Sequence, residues 1–162
     1  MRRALLISGG SLDREFAKRY LESQKFDMVI AVDSGLKGAL ELGLSVDAAV
    51  GDFDSADQEA LAEAHGKQGI VWDVHKPEKD ETDTELAVTT ALKAGCEELV
   101  ILGALGGRFD HALGNVHLLY YAACQGVSAS IVDSQNRITV LTEGRAFRRG
   151  ETWGTYVSFL PL

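Results

Sequence analysis

The stretch Ala48-Ala49-Val50-Gly51-Asp52-Phe53-Asp54-Ser55 joins a short apolar run to a loop that carries two carboxylates. The apolar run predicts a buried β-strand, and in an extended loop Asp52 and Asp54 point to one side while Phe53 points away. Such a carboxylate pair suits a hard cation such as Mg²⁺, which takes oxygen ligands from one or two carboxylates, water and substrate phosphates. The alternative is a polar turn whose aspartates accept backbone hydrogen bonds and cap the next helix.

The same order of strand, loop and helix recurs on both sides of this stretch. Besides residues 48–50, the predicted strands are Arg3 to Ile7, Asp27 to Val32, Ile70 to Val74 and Glu98 to Leu102. The predicted helices run from N-cap Ser11 to about Gln24, Leu36 to Leu42, Ser55 to about His65, Thr82 to Ala94, and Asp110 to near Gly126. Ser55 and Thr82 each begin a capping box. Strands that alternate with helices predict an α/β fold, with a parallel Rossmann-like sheet covered by helices on both faces.

The pattern changes after Val127, because no helix separates the remaining strands. These strands are predicted at Ser128 to Asp133, Arg137 to Leu141 and Tyr156 to Leu160. Consecutive strands without helices are typical of an antiparallel β unit. We therefore expect an α/β domain over residues 1–133, followed by the start of an antiparallel all-β unit over residues 134–162.

Composition narrows the class of protein. The chain has 162 residues, of which 46% are hydrophobic and 25% charged, as in an ordinary globular domain. Its net charge of −8 argues against broad electrostatic attraction to nucleic acid or to an anionic membrane. Cys96 and Cys124 lie far apart and predict reduced, buried thiols of a cytoplasmic protein. No apolar run approaches the length of a membrane span.

Ligands of open parallel sheets bind outside the carboxyl ends of the strands. Six aspartates are predicted to fall at that edge, and together they are called the acidic rim: Asp33, Asp52, Asp54, Asp80, Asp83 and Asp110. Carboxylates that converge on one edge repel one another unless a cation lies among them. The rim therefore predicts a metal-assisted phosphate site, although the chain has neither a P-loop nor a dinucleotide fingerprint.

The loop before the last predicted helix offers groups that could hold phosphates. Gly106 and Gly107 let backbone approach a ligand, Arg108 presents a fork of donors, and the helix start at Asp110 supplies free amides. The alternatives are a tight turn for the glycines, a surface ion pair with Asp110 for Arg108, and a helix-terminal residue without a ligand for His111. Lys79 is either a solvated charge or a cation that neutralises a phosphate in transfer.

Four stretches, in this order, resemble the signature sequences of the thiamine pyrophosphokinase family. They are Asp33-Ser34-Gly35, Gly51-Asp52-Phe53-Asp54-Ser55, Lys79-Asp80-Glu81-Thr82-Asp83-Thr84-Glu85 and Gly106-Gly107-Arg108-Phe109-Asp110-His111. The resemblance runs from Leu5 to about Gly144. It implies a magnesium-dependent enzyme that transfers a pyrophosphoryl group from ATP to thiamine, giving thiamine diphosphate and AMP. The other hypotheses are a related pyrophosphokinase acting on a pterin alcohol, and a nucleotide-binding fragment without catalysis.

The resemblance also implies roles for individual residues. The catalytic positions are Asp33, Asp52, Asp54, Asp80 and Asp83, of which Asp52, Asp54 and Asp83 are the expected metal ligands. The expected nucleotide-binding positions are Lys79, Gly106, Gly107, Arg108, Asp110 and His111. Either Asp33 or Asp80 is expected to act as general base. Members of this family continue through a thiamine-binding β-sandwich that packs in a homodimer, and residues 137–162 correspond only to its first strands.

Overall fold

The computed structural model describes residues 1–54, 56–75, 81–148 and 150–161, which contain seven strands and five helices. The strands are β1 (Arg3–Ile7), β2 (Met28–Val32), β3 (Ala48–Gly51), β4 (Val71–Val74), β5 (Glu98–Leu102), β6 (Ser128–Val132) and β7 (Arg137–Thr139). The helices are α1 (Arg14–Glu22), α2 (Gly35–Glu41), α3 (Gln58–His65), α4 (Asp83–Lys93) and α5 (Phe109–Cys124).

All seven strands form one sheet in the order β4-β3-β2-β1-β5-β6-β7. Neighbouring strands among β1 to β6 are parallel, and only β7 runs antiparallel to its neighbour β6. The strand order reverses between β1 and β5, because the chain builds outward from β1 to β4 and then returns to the other side of β1. The parallel α/β architecture predicted from the sequence is confirmed.

The sheet is buried on both faces because its strands are apolar at consecutive positions. In β1, Leu6 packs into the core under α4 and α5, whereas Leu5 and Ile7 pack into the core under α1, α2 and α3. The two cores follow from the alternation of side chains along a strand. The prediction of helices on both faces is also confirmed.

Two of the predicted helix caps are wrong, whereas a third is confirmed. Helix α1 begins after Asp13, whose Oδ1 accepts a hydrogen bond from the Phe16 amide at 2.9 Å, and not after Ser11. Helix α3 begins after Asp57, not after Ser55, which lies outside the described residues. In both cases an aspartate immediately before the helix supplies the capping oxygen. Thr82 caps α4 as predicted, since its Oγ1 accepts from the Glu85 amide at 3.2 Å.

The carboxyl-terminal strands differ from the prediction in pairing. Strand β6 lies parallel to β5, because α5 carries the chain across the sheet before it, as in other strand-helix-strand units. Strand β7 ends at Thr139 rather than Leu141, and pairs with β6 in the same sheet. The strand predicted at Tyr156 to Leu160 is wrong: none of the described strands pairs with it, and its apolar side chains are exposed. The division at residue 133 stays a prediction.

The two cysteines are free thiols, but only Cys96 is buried as predicted, and Cys124 is exposed on the last turn of α5. Burial raises the pKa of the Cys96 thiol, which favours its unreactive protonated form. Within the described parts of the chain, no helix has the length and apolar character that a membrane crossing requires.

Candidate active site at the carboxyl edge of the sheet

The loops after β1 and β5 meet where the strand order reverses. The Ser8 amide donates to the Leu102 carbonyl at 2.8 Å, and the Gly10 amide to the Gly103 carbonyl at 2.7 Å. These bonds continue the parallel ladder beyond the strands. In open α/β sheets the crevice at such a reversal is the usual place for a ligand. The edge that the sequence predicted as the site therefore contains this crevice.

Asp33 lies beside the loop after β3. Its amide donates to the Val50 carbonyl at 2.8 Å, and a side chain at Gly51 would come within 3.1 Å of the Asp33 Cα. Asp33 also has a left-handed backbone, with φ of 47°. Non-glycine residues in this region are uncommon and cluster at functional sites, where surrounding contacts hold them in place. Two members of the acidic rim, Asp33 and Asp52, are thus brought onto adjacent strand ends.

The loop of Asp52, Phe53 and Asp54 is a turn anchored by its aromatic residue. Phe53 is buried with a φ of 58°, and its ring meets that of Trp72 edge to face at 5.3 Å between centroids. Phe53 is buried, as the prediction requires, but the extended loop on which that prediction rested is wrong, because the backbone at Phe53 is left-handed. Asp52 Oδ1 accepts a hydrogen bond from the Asp54 amide at 3.0 Å. Asp52 thus accepts a backbone hydrogen bond, as the alternative interpretation of this loop as a polar turn requires.

Asp83 is the first residue of α4, so its carboxylate stands at the amino end of a helix, where a negative charge is stabilised. The next residue, Thr84, is buried, and its Oγ1 lies 3.0 Å from Ser8 Oγ. This contact joins the first turn of α4 to the carboxyl end of β1. The neighbouring positions Lys79 and Asp80 lie outside the described residues.

The glycine loop after β5 combines close packing with open backbone. Gly106 has φ of 86°, and a Cβ there would lie 2.2 Å from Ser11 Oγ, so packing alone requires this glycine. Gly107 has φ of 68°, and a Cβ there would meet no atom within 4 Å, which leaves its backbone approachable by a ligand. The buried Asn115 amide donates to the Ala104 carbonyl at 2.8 Å and holds the loop from below.

Arg108 makes two hydrogen bonds to Asp110 within its own loop. Nε lies 3.1 Å from Oδ1 and a terminal nitrogen lies 2.6 Å from Oδ2. Hydrogen bonding from Arg108 holds the pKa of the Asp110 carboxyl below its usual range. The ion-pair alternative for Arg108 is therefore observed, and a nucleotide phosphate would compete with Asp110 for the same guanidinium. His111 is exposed in the first turn of α5.

The described residues do not form a closed metal cage. Among them, no group of three or more histidine, cysteine, aspartate or glutamate side chains stands close enough to hold a metal ion. The oxygen donors of Asp52, Asp54 and Asp83 suit Mg²⁺, which commonly keeps several waters and binds one or two carboxylates plus substrate phosphates. The donor chemistry fits, and the assignment of these three residues as ligands stays a prediction.

Three buried polar residues that support the site were not predicted from the sequence: Ser8, Thr84 and Asn115. For two of them, Thr84 and Asn115, the helical periodicity of the sequence indicated a buried position. Thr84 stands on the same helical stripe as Ala87, Val88 and Ala91, and Asn115 is followed at the same spacing by Leu118, Leu119 and Ala122. A polar residue on a buried stripe needs a partner in the fold, which sequence periodicity alone does not reveal.

Comparison with known proteins identifies the family of the chain. Residues 18–131 match the family model of the thiamin pyrophosphokinase catalytic domain. The thiamine pyrophosphokinase of Bacillus subtilis is 34% identical over 133 residues, which are 82% of this chain and 62% of that protein. A crystal structure of the Bacillus subtilis enzyme superposes with a TM-score of 0.69 at 28% identity, covering 82% of this chain and 61% of that chain.

A crystal structure of thiamin pyrophosphokinase from Geobacillus thermodenitrificans gives a TM-score of 0.67 at 34% identity, covering 86% of this chain and 62% of that chain. The chain thus spans less than two thirds of the length of these relatives. The family model nevertheless covers well over half of the chain, including β2 to β5 and the glycine loop. The chain belongs to the thiamin pyrophosphokinase family.

Proposed function

We propose that the protein is a thiamine diphosphokinase, which transfers a pyrophosphoryl group from ATP to thiamine and releases AMP. The observation that carries the proposal is the family match over residues 18–131, which includes the loops of Asp33, Asp52, Asp83 and Arg108. The names of the similar proteins describe the same activity. Cytoplasmic location and homodimer formation through a complete sandwich domain belong to the same proposal.

In the proposed reaction, the hydroxyethyl oxygen of thiamine attacks the β-phosphorus of ATP. A P–O bond forms there, the bond from that phosphorus to the bridging α,β-oxygen breaks, and AMP leaves with that oxygen. The nucleophile is a neutral alcohol, so a carboxylate within hydrogen-bond reach accepts its proton. Asp33 and Asp80 are the two candidates for this base. The strained backbone of Asp33, held against the end of β3, favours a role at the site.

Asp52, Asp54 and Asp83 are proposed to hold Mg²⁺ together with the polyphosphate. When bound, the ion supplies positive charge that offsets the charge developing on the phosphoryl oxygens. Lys79 is proposed to neutralise a phosphate oxygen. Gly106, Gly107, Arg108, Asp110 and His111 are proposed to form the nucleotide loop, where Gly107 offers open backbone and Arg108 exchanges Asp110 for a phosphate.

The first test measures AMP and thiamine diphosphate formation from ATP, Mg²⁺ and thiamine by the chain as it stands. Both products in equal amounts support the proposal, and a parallel assay with a pterin alcohol checks the acceptor. The second candidate function is nucleotide binding without turnover. Tight MgATP binding without AMP release, even in a chain extended to the length of the relatives, would support that candidate instead.

Two substitutions at Asp52 distinguish the effect of its negative charge from the effect of its hydrogen bond to the Asp54 amide. Asp52→Asn keeps an acceptor for the Asp54 amide but removes the charge, whereas Asp52→Ala removes both. If Asp52 binds metal, both variants lose about 100-fold or more in kcat with little change in fold. The matched control is Asp47→Asn at the opposite end of β3, where the carboxylate likewise accepts a backbone amide, from Val29 at 2.7 Å. Turnover that survives in Asp52→Asn but not in Asp52→Ala would contradict the metal role.

A further inference from the structure

The fully buried positions of α4 carry small side chains and one hydroxyl, and the partly buried Leu86 and Leu92 pack against the same core. Thr84, Ala87, Val88 and Ala91 form a single stripe on the sheet, and all are nearly inaccessible to solvent. Apolar contacts are non-directional, so they constrain the position of a single turn less sharply than a hydrogen bond does. A step of one residue along an α-helix displaces it by about 1.5 Å and turns it by about 100°. A hydrogen bond from the first turn to the sheet would fix the position of that turn most directly.

The Ser8–Thr84 contact is directional, and its other end is rigid. Ser8 Oγ and Thr84 Oγ1 lie 3.0 Å apart, in side chains that are each only 7% exposed. The Ser8 amide donates a hydrogen bond to the Leu102 carbonyl. The Ser8 carbonyl oxygen packs closely against Gly103, since a Cβ at Gly103 would lie only 2.4 Å from it. The threonine hydroxyl therefore binds a partner that is fixed at the β1/β5 reversal.

A buried hydroxyl pair is a poor choice for stability alone. Removing two hydroxyls from water is unfavourable, and the bond between them offsets this only in part, so an apolar pair of the same shape would stabilise the fold about as well. The pair adjoins Asp83, which precedes Thr84 on the first turn of α4. We propose that Ser8 and Thr84 are positioning residues, which place the Asp83 carboxylate for metal and polyphosphate binding.

This inference rests on the proposed role of Asp83, and its test therefore uses metal binding as well as turnover. The probe is Mn²⁺ alone, with free ion measured by electron paramagnetic resonance in the presence of the full chain. Supporting groups around a metal site commonly contribute about 10- to 100-fold in affinity. We expect Thr84→Val and Ser8→Ala each to weaken Mn²⁺ binding by about tenfold, and to raise the Mg²⁺ concentration that gives half-maximal turnover by a similar factor.

Three further variants separate positioning from general stability. Thr84→Ser retains the hydroxyl and should bind Mn²⁺ as the unmodified protein does. The double variant Ser8→Ala/Thr84→Val buries no unpaired hydroxyl, so its Tm should recover relative to either single variant while its Mn²⁺ affinity stays low. Ser130→Ala is the matched control, because Ser130 is equally buried but lies in the middle of β6.

The outcomes are distinct. Recovery of Mn²⁺ affinity in the double variant would overturn the inference, because the single variants would then have acted only through a buried unpaired hydroxyl. Unchanged affinity in both single variants, an equal loss in Ser130→Ala, or no Mn²⁺ binding by the unmodified chain would also overturn it. If the unmodified chain binds Mn²⁺ and the variants bind it as expected, but no thiamine diphosphate forms even from a chain extended to the length of the relatives, the inference stands and the proposed function fails.

Discussion

Phe53 tests whether the acidic loop is held in a strained conformation. Its ring is buried against Trp72, and its φ is 58°, a region that costs a side-chain-bearing residue about 1–2 kcal/mol. Removing the ring in Phe53→Ala should lower the free energy of unfolding by about 3–5 kcal/mol. Phe53→Gly loses the same ring but relieves the backbone strain.

The difference in the free energy of unfolding between the two variants reports the strain of the left-handed backbone at residue 53. Glycine ordinarily costs about 0.5–1 kcal/mol relative to alanine, because the unfolded chain is more flexible. At φ of 58° this is offset by the strain of about 1–2 kcal/mol that only alanine carries. Phe53→Gly should therefore be as stable as Phe53→Ala, or up to about 1.5 kcal/mol more stable. Both variants should lose turnover, because the buried Phe53 ring holds the loop in which Asp52 and Asp54 lie.

The assay is equilibrium denaturation followed by far-ultraviolet circular dichroism, because tryptophan fluorescence would itself respond to loss of the ring beside Trp72. Phe16 in α1 provides the control pair, since in a helix Phe16→Gly should be less stable than Phe16→Ala by about 1 kcal/mol. If the alanine variant is the more stable by the same amount at both positions, the left-handed conformation of Phe53 is refuted.

Two further predictions concern the glycine loop. Gly103 and Gly107 share a φ of 68°, but only at Gly103 would a Cβ meet the Ser8 carbonyl oxygen, at 2.4 Å. The Gly103→Ala variant should therefore unfold at a clearly lower denaturant concentration than the Gly107→Ala variant. Equal unfolding midpoints for the two variants would contradict the packing at Gly103. Replacing Arg108 by Gln should raise the pKa of Asp110 towards its ordinary value, as followed by carbon NMR of the carboxyl group. Because the pKa of Asp110 is lowered in the folded protein, its contribution to stability is present above the unfolded pKa and is lost as pH falls through the folded one. The variant should lack this dependence at low pH, and an unchanged titration would show that Arg108 and Asp110 do not interact in solution.

The order of strands and helices could be predicted from the sequence because each element carries its own signal. Runs such as Arg3–Ile7 and Glu98–Leu102 are apolar at consecutive positions, which is typical of strands buried on both faces, and both were predicted with their observed bounds. Capping was predicted less well, since serine and aspartate compete for the same role over two or three residues. At Asp13 and Asp57 the residue next to the helix provides the cap.

The sequence alone determined that Asp33 and Asp52 lie at the carboxyl edge of the sheet, because each follows an apolar strand of a parallel sheet. It could not determine how those residues are held. The left-handed backbone of Asp33 and Phe53 and the Ser8–Thr84 contact depend on segments brought together by the sheet, whereas the Arg108–Asp110 pair lies within one loop and could be anticipated from the sequence. Ser8 and Thr84 are 76 positions apart in the chain, and only the tertiary fold, by placing α4 across the end of β1, makes them neighbours.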